Sequence, residues 1–220
     1  MSFFWFYLGR SLCRAVFRFL GRWRVSGVEN IPRHGPVLIM PNHISLLDPP
    51  VVGAPVPRRT HYMAKVELFE VPLLKQLLPR INAYPVRRGQ PDRAALRRTL
   101  HLLEQQEIVV LFPEGTRSLD GRLQEAEPGA ALIALRSGAP VVPVAILGTA
   151  AILRPGTRWP RLGRLRIRYG RPLRFPEWSD GKPTKADLKR IGDVIMSHIA
   201  ELLAEENQAA RREERLKNRK

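Results

Sequence analysis

Apolar and polar positions alternate along this chain in two different rhythms. Short, nearly unbroken apolar runs at Val37–Met40, His61–Ala64, Ile81–Val86, Ile108–Phe112, Val141–Leu147 and Leu165–Tyr169 read as strands. Between them, stretches near 50–54, 70–78, 92–105 and 128–137 have helical spacing. A last helix starts around Thr184, where Thr-Lys-Ala-Asp has the form of a capping box, and carries Leu188, Ile191, Ile195, Ile199 and Leu202 at helical intervals. Strand and helix alternating in this way predict one α/β domain, a mixed, mainly parallel sheet flanked by helices. No repeat and no Pro- or Gly-rich linker divides it.

The two ends depart from that rhythm. In FFWFYLGRSLCRAVFRFLGRWR, Arg10, Arg14, Arg18 and Arg22 form one drifting helical stripe, with Leu8, Leu12, Val16, Phe19 and Trp23 broadly opposite. Phe3, Phe4, Trp5, Phe6 and Tyr7 leave no polar side at its start. Residues 1–24 therefore read as an amphipathic helix lying in a membrane interface, the alternative being a helix packed on its own domain. The closing ARREERLKNRK has no apolar face, so residues 207–220 are expected to fray or be disordered. Residues 25–206 remain as the folded domain.

Charge adds a partner class. The 220 residues hold 37 Lys and Arg against 20 Asp and Glu, a formal charge of +17, and such a surface attracts polyanions. The first 24 residues contribute +5 and the last ten +4, so the ends supply more than half of the excess. Basic residues near anionic lipid contribute roughly 1 kcal/mol each, which predicts salt-sensitive membrane association. They are not interleaved with exposed aromatics in the manner of single-strand binders, which argues against nucleic acid. A single cysteine, Cys13, excludes an intrachain disulfide and Cys-rich zinc sites. No apolar run reaches the roughly 18 residues of a spanning helix, and the opening MSFFWFYLGR lacks a secretory signal's basic start and cleavage site.

The candidate chemistry follows the strands. In PNHISLLDPP, His43 stands just beyond a strand and Asp48 five residues on, a spacing that on a continuous helix would set them about 140° apart. Pro49 supplies the necessary turn, so Asp48 can cap the next helix and still point back at His43. Such a pair, with no serine or cysteine nucleophile beside it, suits a general base acting on a substrate hydroxyl. By itself the spacing is a weak signal and fits an ordinary loop histidine better. FPEGTRS, residues 112–118, follows another strand and combines Glu114, a permissive Gly115, the hydroxyls of Thr116 and Ser118, and the guanidinium of Arg117, groups suited to an anion. YPVRRG adds Arg87 as a second phosphate candidate; strand alternation turns Arg88 away and makes it the solvated neighbour.

These segments resemble the glycerolipid acyltransferases, the family containing 1-acyl-sn-glycerol-3-phosphate acyltransferases. NHISLLD is similar to that family's Asn-His-x4-Asp motif and FPEGTRS to its third, while AYPVRRG looks like the second and VVPVAI, residues 141–146, like the fourth. All four stand in family order, and with flanking elements the resemblance covers roughly residues 25–175. It implies His43 as general base with Asp48 orienting it, and Arg87, Glu114, Gly115, Thr116, Arg117 and Ser118 as ligands of the glycerol-phosphate acceptor. It places Val142, Pro143 and Val144 near the acyl chain, unless they are simply a core strand.

The implied reaction moves an acyl group from an acyl-CoA or acyl carrier protein thioester to a lysophospholipid, foremost to the sn-2 hydroxyl of lysophosphatidate. It needs no metal and no other cofactor. The implied location is peripheral, on the cytoplasmic face of the cell membrane. One departure concerns the acceptor: relatives often carry a basic residue where this chain reads Glu125-Ala126-Glu127-Pro128. Other lysophospholipids, glycerol 3-phosphate and a lipid-linked amino acid therefore stay open as acceptors. A non-enzymatic basic membrane protein is the competing class, and a serine hydrolase is disfavoured because no Gly-x-Ser-x-Gly elbow occurs. The donor, acyl length and oligomeric state are written in no recognisable residues.

Overall fold

A computed structural model describes residues 3–153, 157, 159–175 and 183–217. Its frame is a seven-stranded sheet: β1 (Arg24–Ser26), β2 (Val37–Pro41), β3 (Thr60–Lys65), β4 (Ala83–Val86), β5 (Ile108–Val110), β6 (Val141–Leu147) and β7 (Arg166–Tyr169). The order is β1-β7-β6-β2-β5-β3-β4, every pair parallel except β6 with β7. β2, in the middle, is buried at all five positions, which explains its unbroken apolar sequence: a parallel strand covered on both faces has no polar side.

Helices cover both faces. On one lie α1 (Phe3–Gly21), α2 (Asp48–Gly53), α3 (Pro72–Arg80) and α6 (Thr149–Ile152), whose Phe17, Val51, Val52, Leu78 and Ile152 join Ile39, Val110 and Val144 in one core. On the other, α4 (Arg93–Glu104), α5 (Pro128–Ser137) and α7 (Lys185–Lys217) bring Leu102, Ile133, Ile191 and Ile195 against Leu38, Met40 and Val109. This is the predicted fold class. The capping box at the head of α7 also forms: Thr184 donates from N–H and Oγ1 to Asp187 Oδ2, and the Asp187 N–H donates back to Thr184 Oγ1.

Three expectations change. β1 has no counterpart in the apolar pattern because all three of its residues are exposed at the sheet edge. The tail does not fray after residue 206; α7 runs on to Lys217. Ion pairs replace the missing apolar face, with Glu206 and Glu213 on Arg166, Glu205 on Arg168, Glu214 on Arg164, and Glu213 also on Arg24. The arginine stripe of α1 is not wholly outward either. Arg10 donates to the Val56 carbonyl, and Arg14 to those of Ala54 and Pro55, so both tie α1 to the turn that follows α2. What α1 leaves exposed is the apolar row Leu8, Leu12, Val16 and Phe19, the last at 80%. The side chains of Phe3, Phe4, Trp5 and Phe6 lie outside the described residues, as do residues 218–220.

Candidate active site

The carboxyl ends of β2, β5 and β4 hold the three motifs that the sequence singles out, as expected for ligand sites in open α/β sheets. Asn42 fixes the end of β2 to β6. Its Oδ1 accepts the Ile146 N–H at 2.7 Å and its Nδ2 donates to the Ile146 carbonyl at 3.1 Å. The chain then leaves the sheet, and His43, 5% exposed, stacks on Phe112 with ring centroids 4.0 Å apart.

Asp48 is fully buried and gives one oxygen to three donors. Oδ2 lies 2.8 Å from His43 Nδ1 and 2.7 Å from the backbone nitrogens of both Ile44 and Ser45. It does not cap α2, whose N-cap is Leu47 with no side-chain bond; the carboxylate turns back to gather the loop that carries the histidine. An ionised carboxylate only accepts, so His43 carries its proton on Nδ1 and leaves the Nε2 lone pair free. Burial holds the imidazole below its ordinary pKa. Asp48 opposes that shift, and the positive charges of Arg88 and Arg117 reinforce it. The neutral ring is therefore the resting form at neutral pH, and a neutral imidazole with a free lone pair can take a proton.

The FPEGTRS turn supports this arrangement from below. Glu114, 3% exposed, accepts the His43 N–H on Oε1 at 2.8 Å and the Gln124 N–H on Oε2 at 3.1 Å. Burial raises its pKa, against the pull of those two bonds. The Ser118 N–H donates to the His43 carbonyl at 2.8 Å, and its hydroxyl to Asp120. Glu114 and Ser118, expected among the acceptor's ligands, thus have their polar groups committed to holding His43 and its loop. Gly115 has φ +68°, and a Cβ there would stand 2.6 Å from Glu127 Cγ, so the position needs glycine twice over. Thr116 and Arg117 are exposed and available to a ligand.

The two arginines of the second motif exchange places relative to expectation. Arg87 is exposed, and its N–H is tied to Asp92 Oδ2. Arg88 is half-buried, with its pKa lowered by burial and by the charge of Arg117, and it acts electrostatically on His43. Strand alternation misjudged the pair because β4 ends at Val86, so both arginines belong to the loop beyond it. In the fourth motif, Val142, Pro143 and Val144 are buried inside β6 between β2 and β7, the position of a core strand.

A cavity of about 470 Å³ opens instead under the FPEGTRS turn, between α4, α5 and the head of α7. Met63, Leu96, Leu111, Leu132 and Ile133 give it apolar walls, and Phe112, which stacks on His43, belongs to its lining. Arg87, Arg88 and Arg93 also line it, as does Glu127, whose carboxylate makes no hydrogen bond or ion pair among the described residues. No sequence signal pointed to this cavity, because its walls come from five separate segments.

Comparison with known proteins points to one family. A family model described as "Acyltransferase" matches residues 22–147. The chain is 30% identical over 190 residues to the 1-acyl-sn-glycerol-3-phosphate acyltransferase of Bacillus subtilis, covering 86% of this chain and 92% of that one. It is 32% identical over 136 residues to a chloroplastic 1-acyl-sn-glycerol-3-phosphate acyltransferase of Brassica napus, covering 60% of this chain and 39% of that longer protein. Among solved structures, the 1-acyl-sn-glycerophosphate acyltransferase of Thermotoga maritima is similar with a TM-score of 0.70 and 26% identity, over 90% of this chain and 79% of that one.

Proposed function

The chain belongs to the acyltransferase family, and from that membership we propose that it moves a fatty acyl group from a thioester donor to the sn-2 hydroxyl of lysophosphatidate, giving phosphatidate. The observation that carries the mechanism is the His43–Asp48 contact of 2.8 Å with Nε2 left open. Nε2 takes the proton of the acceptor hydroxyl as its oxygen attacks the thioester carbonyl. The tetrahedral intermediate collapses, the carbon–sulfur bond breaks, and the imidazolium returns its proton to the departing thiolate. Asp48 holds the tautomer and stabilises the imidazolium. Arg88 and Arg117, with Thr116 and the exposed Arg87, take the acceptor's phosphate, while Glu114, Gly115 and Ser118 hold the catalytic loop in place.

The cavity under the turn receives the acyl chain, its size being ordinary for a ligand pocket. The donor is an acyl-CoA or an acylated carrier protein, both anionic and both attracted by a chain of charge +17. Residues 1–24 lie in the membrane interface, residues 25–206 form the catalytic domain, and the enzyme works on the cytoplasmic face of the membrane. No helix among the described residues is long and apolar enough to cross a bilayer. The arrangement is tested by thiol release from palmitoyl-CoA and from palmitoyl carrier protein. Release with one donor that depends on added lysophosphatidate is expected, and none with either donor would reject the reading.

Glu127 favours a second acceptor. An unpaired carboxylate lining the same cavity as Arg87 and Arg88 repels a phosphate dianion and suits an acceptor that also carries an ammonium or amino acid group. Glu127→Lys is expected to lower KM for lysophosphatidate about fivefold with little change in kcat. A raised or unaltered KM would show that Glu127 does not face the phosphate.

A further inference from the structure

Among the described residues, the exposed large apolar side chains are not scattered. α4 and α5 have none, and α7 has only Leu216. The others lie in α1, in β1, in the loop before β7 as Trp159 and Leu162, and in a third group that α1 does not account for. That group is Leu46, Val71, Leu73, Leu77 and Leu119.

Its placement is specific. Leu46 is on the loop between His43 and Asp48, and Leu119 directly follows Ser118, whose N–H holds the His43 carbonyl. Val71 and Leu73 begin α3 at the carboxyl end of the sheet, because only a short 3-10 turn, Val66–Phe69, separates α3 from the end of β3. Leu77, one turn below Leu73, continues the row. α3 itself is held to the core by Leu74 and Leu78, so the Leu73–Leu77 edge is turned away from the protein. Leu73 and Leu119 are 77% and 79% exposed, values that suit side chains with a partner outside the chain. Lys75 and Arg80 are exposed on the same helix; Glu70 is exposed at its entry and Glu67 pairs with Lys65. This leaves a modest excess of positive charge beside the leucines, joined by the exposed Arg117 two residues before Leu119.

We propose that this rim of leucines is a membrane-docking surface separate from α1, which sets the mouth of the catalytic site on an anionic bilayer so that the acceptor enters sideways from the leaflet. The proposal rests on the acyltransferase reading for its substrate, but the surface makes its own prediction. α1 and α3 cover the same face of the sheet. Apolar side chains enter the headgroup region while basic ones meet anionic lipid, the pattern of interfacial helices. A second copy of the chain would fit the leucines but gains nothing from the positive charge around them.

The test uses the full chain and vesicles of phosphatidylglycerol and phosphatidylcholine. Leu73→Ser/Leu77→Ser is expected to weaken vesicle binding about tenfold or more, since two leucines no longer leave water. Turnover of a short-chain lysophosphatidate dissolved as monomers should be unchanged, because neither leucine touches His43 or its arginines. Leu119→Ser, in an exposed loop where folding is not at stake, should weaken binding in the same direction. Unchanged vesicle binding in both variants would overturn the proposal. So would a wild-type dimer that the double variant splits, since the leucines would then face a second copy. If the wild type turns over no acceptor, the proposed reaction fails, and vesicle binding still decides the surface.

Discussion

His43→Ala is expected to lower kcat for acyl transfer by about 10²–10⁴-fold, the range supplied by a positioned general base. The ring is the one group in the site with both an orienting carboxylate and a free nitrogen, and the arginines nearby cannot replace it. The reaction should also show a characteristic pH profile. A base acts in its neutral form, and burial together with Arg88 and Arg117 keeps His43 below the ordinary imidazole pKa of about 6.5. The acid limb of kcat/KM should therefore lie below about pH 6.5, with a flat rate through neutrality. Thiol release measured against pH gives both results. Full activity without the histidine, or an acid limb well above 6.5, would remove His43 from its role.

Asp48→Asn is expected to lower kcat by about 10²–10³-fold, and for a less obvious reason than loss of the tautomer. Two backbone N–H groups, from Ile44 and Ser45, donate to the same oxygen as His43 Nδ1. They force an asparagine to keep its carbonyl at that position, so the Nδ1 proton stays where it is. What disappears is the negative charge that stabilises the imidazolium. The amide NH2 falls where Oδ1 stands, a buried site with no hydrogen-bond partner among the described residues, which adds a stability cost of about 1–3 kcal/mol. Asp48 raises the pKa of His43, so its loss moves the acid limb to still lower pH while the rate falls. A purely structural aspartate would lower Tm and leave the limb in place, and that outcome would reject the positioning role.

The sequence was most legible where one physical requirement dominates a whole segment. β2 and β6 show as apolar runs because both of their faces are covered, and the Thr184–Asp187 box shows because capping demands those residues at that interval. The histidine, the aspartate and the turn between them were legible for a similar reason, since five residues and a proline leave the chain few ways to bring the two together. Arg88 was not, because alternation holds only inside a strand and β4 stops two residues short. Glu114 read as a ligand because a carboxylate next to glycine looks available; that it turns inward depends on Gln124 and on the backbone of His43, which no local pattern brings together. The helical order of the tail leaves no apolar signature because its acidic residues answer arginines on β7 and in the loop just before it.

The edge strand β1 imposes an order in time on the making of this protein. Its ladder partner is β7, the Ser26 hydroxyl reaches Ile167 across 141 residues, and Arg24 meets Glu213 across 189. A chain leaving the ribosome exposes Arg24–Ser26 well before its partner and can pair it only once Arg166–Tyr169 has been translated. The central β2–β5–β3 ladder can assemble well before that. β1 is thus among the last strands joined, and the turn of α7 that carries Glu213 acts as its latch. Until β7 is made, Arg24–Ser26 has no strand to pair with, although α1 just before it can already bind the segment after α2.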